Sequence, residues 1–170
     1  MYLAIISSVL IGFLAKFTDL IVDDGLNINK YIGYSGSVVY GFLLAFLMYS
    51  YPALTPLCLA VSISVIMTGK IDAPTHSLAI ASMIFFIAFF GLPQVNFLFL
   101  VTFLVAGTID EIGNDYIDKR KKKRYAKIFF QNRLTLEFTV FIISLITGEW
   151  ILWISMASFD VAYILTGKIK

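Results

Sequence analysis

Apolar residues run through this chain in long unbroken stretches, separated by short polar or turn-forming segments. Stretches long enough to cross roughly 30 Å of hydrocarbon occupy residues 1–22, 32–50, 53–68, 74–91, 95–109, 134–147 and 150–166. The pattern predicts an all-α fold: one domain over residues 1–170, built as a polytopic transmembrane helical bundle of about seven spans. The sixth run is short, and a Gly148-Glu149 turn follows it, so a re-entrant hairpin over the last pair would reduce the count to six. The first run is expected to stay in the protein. No basic segment opens it, and Lys16 and Asp19 stand where a small-residue cleavage site belongs.

Composition narrows the class. The chain is 59% hydrophobic, 16% aromatic and 14% charged, against roughly a quarter charged in an ordinary soluble domain. A soluble globule and a disordered chain are excluded, and so is a nucleic-acid module, because the net charge is only +2. The single cysteine, Cys58, lies in an apolar run, which excludes a disulfide framework and a cysteine zinc site. A multi-pass protein of the cell membrane remains.

The positions of the charges orient it. All 13 Lys and Arg fall at the ends of odd-numbered spans: Lys16 and Lys30, Lys70, the stretch from Lys119 to Arg133, then Lys168 and Lys170. The other connections carry none, so the positive-inside rule puts the N-terminus outside and the C-terminus in the cytoplasm. Those uncharged connections are short, which predicts antiparallel neighbours for helices two and three, four and five, and six and seven. Helix two carries Gly33, Ser37, Gly41 and Ala45 at a four-residue period. Such a face lets another helix approach closely, within the chain or in a homo-oligomer. Pro56 and Pro74 fall in first turns, and Asp72 is placed to cap helix four.

Ten of the 11 acidic residues share the cytoplasmic side, Glu149 being the exception. The positive-inside rule makes little demand on carboxylates and does not explain this. Two clusters stand out. Lys16, Asp19, Asp23 and Asp24 close helix one, the first three spaced i, i+3 and i+7 on one helical face. Asp110, Glu111, Asn114, Asp115 and Asp118 close helix five, followed by Lys119 and Arg120. Carboxylates so close repel unless a cation bridges them. Donors that are all oxygen point to Mg2+ or Mn2+, with Ca2+ next, rather than zinc or copper. Mg2+ completes its shell with water and substrate phosphates, so facing clusters at a membrane surface fit a lipid phosphate or diphosphate. The basic run from residue 119 to 124 sets topology, contacts anionic headgroups, and strengthens the field for such a substrate.

The run Asn114-Asp115-Tyr116-Ile117-Asp118 resembles the aspartate-rich motif of the UbiA superfamily of intramembrane prenyltransferases, and Asp19 and Asp23 match that family's D-x-x-x-D pattern. The resemblance implies Mg2+ and the diphosphate of an isoprenoid donor held by Asp19, Asp23, Asn114, Asp115 and Asp118. Transfer of the prenyl group to an acceptor would follow. The chain departs from the family in three respects: Lys122 stands where the motif's last Asp belongs, the two motifs are in reverse order, and the chain is little more than half the usual length.

Other polar residues lie within the spans. Asp160, eight residues before Lys168, sits about 12 Å deep and is a functional candidate by its burial. Ser155, Ser158 and Tyr163 are placed to hydrate it. Arg133 and Glu137 form an i, i+4 pair, with Arg133 also a phosphate-binding candidate, and His76 could act as a base or simply anchor its helix. Substrate binding is thus expected from Lys16, Lys119, Arg120, Arg133 and Asp160. Metal binding is expected from Asp19, Asp23, Asp24, Asp110, Glu111, Asn114 and Asp118. A cation transporter or channel using the acidic cluster and Asp160 is the alternative, and a small structural subunit of a membrane complex is a third. Spans that are apolar through their outer halves favour the enzyme.

Overall fold

The computed structural model describes residues 1–22, 25–69, 74–120, 129, 130 and 133–169, with the backbone alone for 118–120. Among these residues there are seven α-helices, a single 3-10 turn and no strand. The helices are α1 (Tyr2–Val22), α2 (Lys30–Ser50), α3 (Thr55–Met67), α4 (Pro74–Phe90), α5 (Phe97–Arg120), α6 (Leu134–Thr147) and α7 (Trp150–Thr166). Three stretches, Tyr2–Val22, Lys30–Ser50 and Phe97–Ile117, are long and apolar enough to cross a membrane, and the remaining helices are shorter apolar ones.

Side chains in the connections set the helix ends. Asn29 Oδ1 accepts from the Tyr31 amide at 3.0 Å, and Asn96 Oδ1 accepts from the amides of Leu98 and Phe99 at 3.1 and 3.2 Å. These side chains satisfy amides that the first turn leaves without helical partners. Pro56 and Pro74 both lie in first turns. Gly148 takes φ 76° between α6 and α7 and returns its N–H to the Ser144 carbonyl, closing the tightest hairpin.

α1 lies at the centre, packed on α7 and α2; α2 packs on α4, α3 on α5, and α6 bridges α5 and α7. Close approach is written into two glycines. A Cβ at Gly12 would run into the Phe159 backbone, and one at Gly41 into the Ala79 backbone. Gly33, Ser37, Gly41 and Ala45 are all buried, so this face serves packing inside one copy: Gly33 meets Ile21 and Val22 of α1, and Gly41 meets α4. The exterior is apolar, with Phe85, Phe89, Phe97, Leu98, Phe138 and Ile146 exposed, a surface better suited to hydrocarbon than to water.

One expected neighbour pair differs. α4 packs on α2 and α1 while α5 packs on α3 and α6, so the two are consecutive without being a packed pair. Residues 91–96 between them are not helical. Six residues can extend about 20 Å, enough to carry the chain past an adjacent position.

Candidate functional site

The buried acidic residues Asp19, Asp110 and Glu111 lie toward the ends of α1 and α7 and the starts of α4 and α6, with α5 alongside. Asp19, buried near the end of α1, accepts from the Thr75 hydroxyl at Oδ1 (3.3 Å) and from the Tyr163 hydroxyl at Oδ2 (3.4 Å). His76 Nδ1 lies 3.9 Å from Oδ1 of the same carboxylate and 3.2 Å from the Tyr40 hydroxyl. The Lys16 ammonium stands 5.7 Å from the centre of the Tyr163 ring, a cation over an aromatic face. Four helices thereby converge on one carboxylate.

Beside this array lies a second one. Asp110 is only 1% exposed, and its two oxygens accept from the backbone amides of Thr135 (3.2 Å) and Leu136 (2.7 Å). It caps α6 from a neighbouring helix, placing a negative charge at the positive end of that helix dipole. Glu111, also buried, pairs with Arg133, Oε1 to Nη2 at 3.2 Å. Arg133 precedes α6 in a left-handed conformation, φ 51°. From there its guanidinium also lies within electrostatic reach of Asp110, Asp160 and Tyr163. Tyr163, which bonds to Asp19, and Arg133 line one cavity together, so the two arrays adjoin.

The expected Arg133–Glu137 pairing is replaced. Arg133 is not in helical conformation, so the i, i+4 geometry does not apply, and its partner comes from α5. Glu137 faces Asp160 instead, with Trp153 beside it. Two of the three groups expected to hydrate Asp160 are engaged elsewhere: the Ser158 hydroxyl bonds to the Ile154 carbonyl and Tyr163 to Asp19. Asp160 Oδ2, Glu137 Oε2, Thr108 Oγ1 and Ser155 Oγ are buried without a hydrogen-bond partner among the described residues.

Two adjoining cavities open inside the bundle next to these arrays. One, of about 60 Å3, is bounded by apolar side chains from α1, α2, α3 and α7 together with Ser8, Ser155 and Arg133. The other, of about 90 Å3, is lined by Tyr40, Ser62, His76, Tyr163 and Arg133 among apolar neighbours. Ile11, Leu44, Val61, Phe159 and Arg133 border both.

Of the residues expected from sequence, Lys16, Asp19, Asp110, Glu111, Arg133 and Asp160 belong to this polar region. Asn114 and Asp115 lie further along α5 and are half-buried. Asp23, Asp24 and Asp72 lie outside the described residues, as do the side chains of Asp118, Lys119 and Arg120. Among the described residues no three His, Cys, Asp or Glu side chains are grouped to hold a metal ion. Sequence reasoning left out Tyr40 and Thr75, and did not place His76 with Asp19. The available signal was Thr75-His76 directly after Pro74, polar residues in the first turn of an apolar helix. No protein-family model matches this chain, and no curated protein or solved structure matches it.

Proposed function

We propose that this chain is a multi-pass integral membrane enzyme, N-terminus outside and C-terminus cytoplasmic, that transfers a group from a lipid or polyprenyl (di)phosphate. Prenyl transfer is the reaction that the Asp19/Asp23 and Asn114/Asp118 patterns fit. The observation that carries the reading is convergence. From sequence segments four helices apart, Asp19, bonded by Tyr163 and approached by His76, and Arg133, paired with Glu111, bring their partners to the lining of one cavity.

Within the described residues Asp19, Asp110 and Glu111 are already engaged by hydroxyls, amides and a guanidinium. Mg2+ or Mn2+ would therefore fall to Asn114, Asp118, Asp23 and Asp24, oxygen donors of the type these ions take. Bound there, the ion would neutralise charge on a departing diphosphate. Arg133, oriented by Glu111, offers the remaining N–H donors of its guanidinium to phosphate oxygens. Lys119 and Arg120 follow Asp118 directly and add to the positive field.

The test is thermal unfolding of the detergent-solubilised chain with geranylgeranyl diphosphate, with and without Mg2+. Stabilisation is expected only when both are present, and Asp23→Asn or Asp118→Asn should remove it. Identical melting of wild type and variants under every condition would refute the assignment.

The partnerless oxygens of Glu137 and Asp160 favour one second reading, a cation or proton path through α6 and α7. Cation flux into proteoliposomes that Asp160→Asn abolishes would establish it, and absence of flux would exclude it.

A further inference from the structure

We propose that the larger of the two cavities, a partly open space between the helices, is a phosphate-binding chamber, in which Arg133 and the Tyr40–His76 pair hold a phosphate group. The proposal deepens the lipid-phosphate reading and rests on it for the choice of ligand class.

The lining has the right chemistry. No carboxylate borders either cavity among the described residues. The acids stand one layer behind, Glu111 against Arg133 and Asp19 against His76, where they orient the donors without facing the chamber. A guanidinium has five N–H donors. Among the described residues, the ion pair with Glu111 runs through Nη2 of Arg133.

Tyr40 and His76 supply a further donor whichever ring nitrogen carries the proton. The Tyr40 hydroxyl meets His76 at Nδ1. If Nδ1 is protonated it donates to the Tyr40 oxygen, which frees the phenolic O–H for the chamber. If Nδ1 is bare the phenol donates to it, and Nε2 carries the proton instead. Either arrangement leaves one donor beyond the Tyr40–His76 bond on a residue that lines the cavity.

Room and an unanswered polar group complete the case. A water needs roughly 10–15 Å3 of such volume, so a space of about 90 Å3 accepts a group of several heavy atoms. In the adjoining space Ser155 Oγ has no hydrogen-bond partner among the described residues, although the residue is only 3% exposed. A buried hydroxyl without a partner is unfavourable in the empty protein and is satisfied when a polar ligand enters. The ligand is a phosphate, either the head of a single-chain amphiphile or the free ion.

His76 is the chain's one histidine, so its side-chain 15N signals report the chamber without assignment. The full chain, 15N-labelled at histidine and held in a phosphate-free maltoside detergent without Mg2+, is titrated with inorganic phosphate, geranylgeranyl monophosphate and geranylgeraniol. Both phosphates moving the His76 signals indicates a site for the free ion; the monophosphate alone doing so indicates a lipid head. The alcohol acting as strongly as the monophosphate, or no phosphate moving the signals, overturns the proposal. The double variant Arg133→Gln/Glu111→Gln keeps a neutral hydrogen-bonded pair and should bind the effective phosphate at least about tenfold more weakly. Tyr40→Phe should give a smaller loss, and unchanged affinity in both overturns the assignment. Mg2+-dependent stabilisation by geranylgeranyl diphosphate with silent His76 signals would sink the chamber and spare the transferase reading. His76 signals that respond to phosphate while that stabilisation is absent would do the reverse.

Discussion

Asp110 offers the sharpest test of whether the acidic cluster on α5 builds the fold or only serves a ligand. Its two oxygens accept from the Thr135 and Leu136 amides, so Asp110→Ala leaves two helix N–H groups of α6 unsatisfied in a buried place. Each such loss costs about 1–3 kcal/mol, and the helix dipole loses its counter-charge, giving an expected destabilisation of about 3 kcal/mol. Asp110→Asn keeps one acceptor and turns an N–H2 toward the other amide, so its cost should be about half. The assay is built into the molecule: both tryptophans, Trp150 and Trp153, are on α7, and Trp153 lies 5.3 Å from Phe141 of α6, ring centre to ring centre. Unfolding by sodium dodecyl sulfate in mixed micelles, followed by tryptophan fluorescence, therefore reads the packing that Asp110 secures. If both variants unfold at the wild-type detergent fraction, the cap contributes nothing and the argument is wrong.

Gly12→Val and Gly41→Val force side chains into the backbones of Phe159 and Ala79 and should each cost 2 kcal/mol or more, on the order of the larger overpacking penalties, in the same unfolding assay. Gly91→Ala meets no neighbour within 4 Å and pays only for its φ of 88°, about 1 kcal/mol; equal losses at all three sites would contradict the packing. Ser155→Ala removes the partnerless hydroxyl and should leave the ligand-free protein as stable or up to about 1 kcal/mol more stable, whereas a loss above that amount would mean the hydroxyl has a partner. In a Cys58→Ser background, an impermeant maleimide should label Glu149→Cys on intact cells and Lys168→Cys only after permeabilisation. The opposite pattern would invert the proposed orientation.

Helix positions were legible in the sequence because in an apolar chain the breaks carry the information. The seven expected runs coincide with the seven helices to within a few residues, and α5 continues past its apolar part to Arg120. Neighbours were harder to read. Where lipid and protein interior are equally apolar, an all-apolar helix shows no face to its partner, and only its small residues mark the contact. Gly41 was such a mark, on a stripe read from its period. Gly12 belongs to a comparable stripe, Ala4, Ser8 and Gly12 at a four-residue period, all buried in α1, which the sequence reading did not single out. For the site, the acidity of the α1 and α5 ends was visible, but the hydroxyls that satisfy Asp19 come from Thr75 and Tyr163, distant in sequence and ordinary in composition. The Arg133 partner was misread because helical spacing was applied to a residue that stands before its helix in a left-handed conformation.

That conformation gives Arg133 its reach. A non-glycine residue at positive φ costs about 1–3 kcal/mol and persists only where its surroundings hold it. Here Glu111 fixes the guanidinium from α5, with Asp160 of α7 within electrostatic reach. The head group thus lines the space between α1, α2, α3, α4 and α7, although its backbone belongs to the start of α6. A relaxed helical backbone at this position would aim the side chain elsewhere and part the buried Glu111–Arg133 pair, and breaking a buried ion pair costs about 3–5 kcal/mol. The ion pair therefore outweighs the strain, and the same balance keeps one cation pointed into a cavity that no carboxylate lines among the described residues. A bundle held together by apolar packing alone would need none of this arrangement. Its presence is why the interior, as much as the acidic surface, is where a phosphate should be sought.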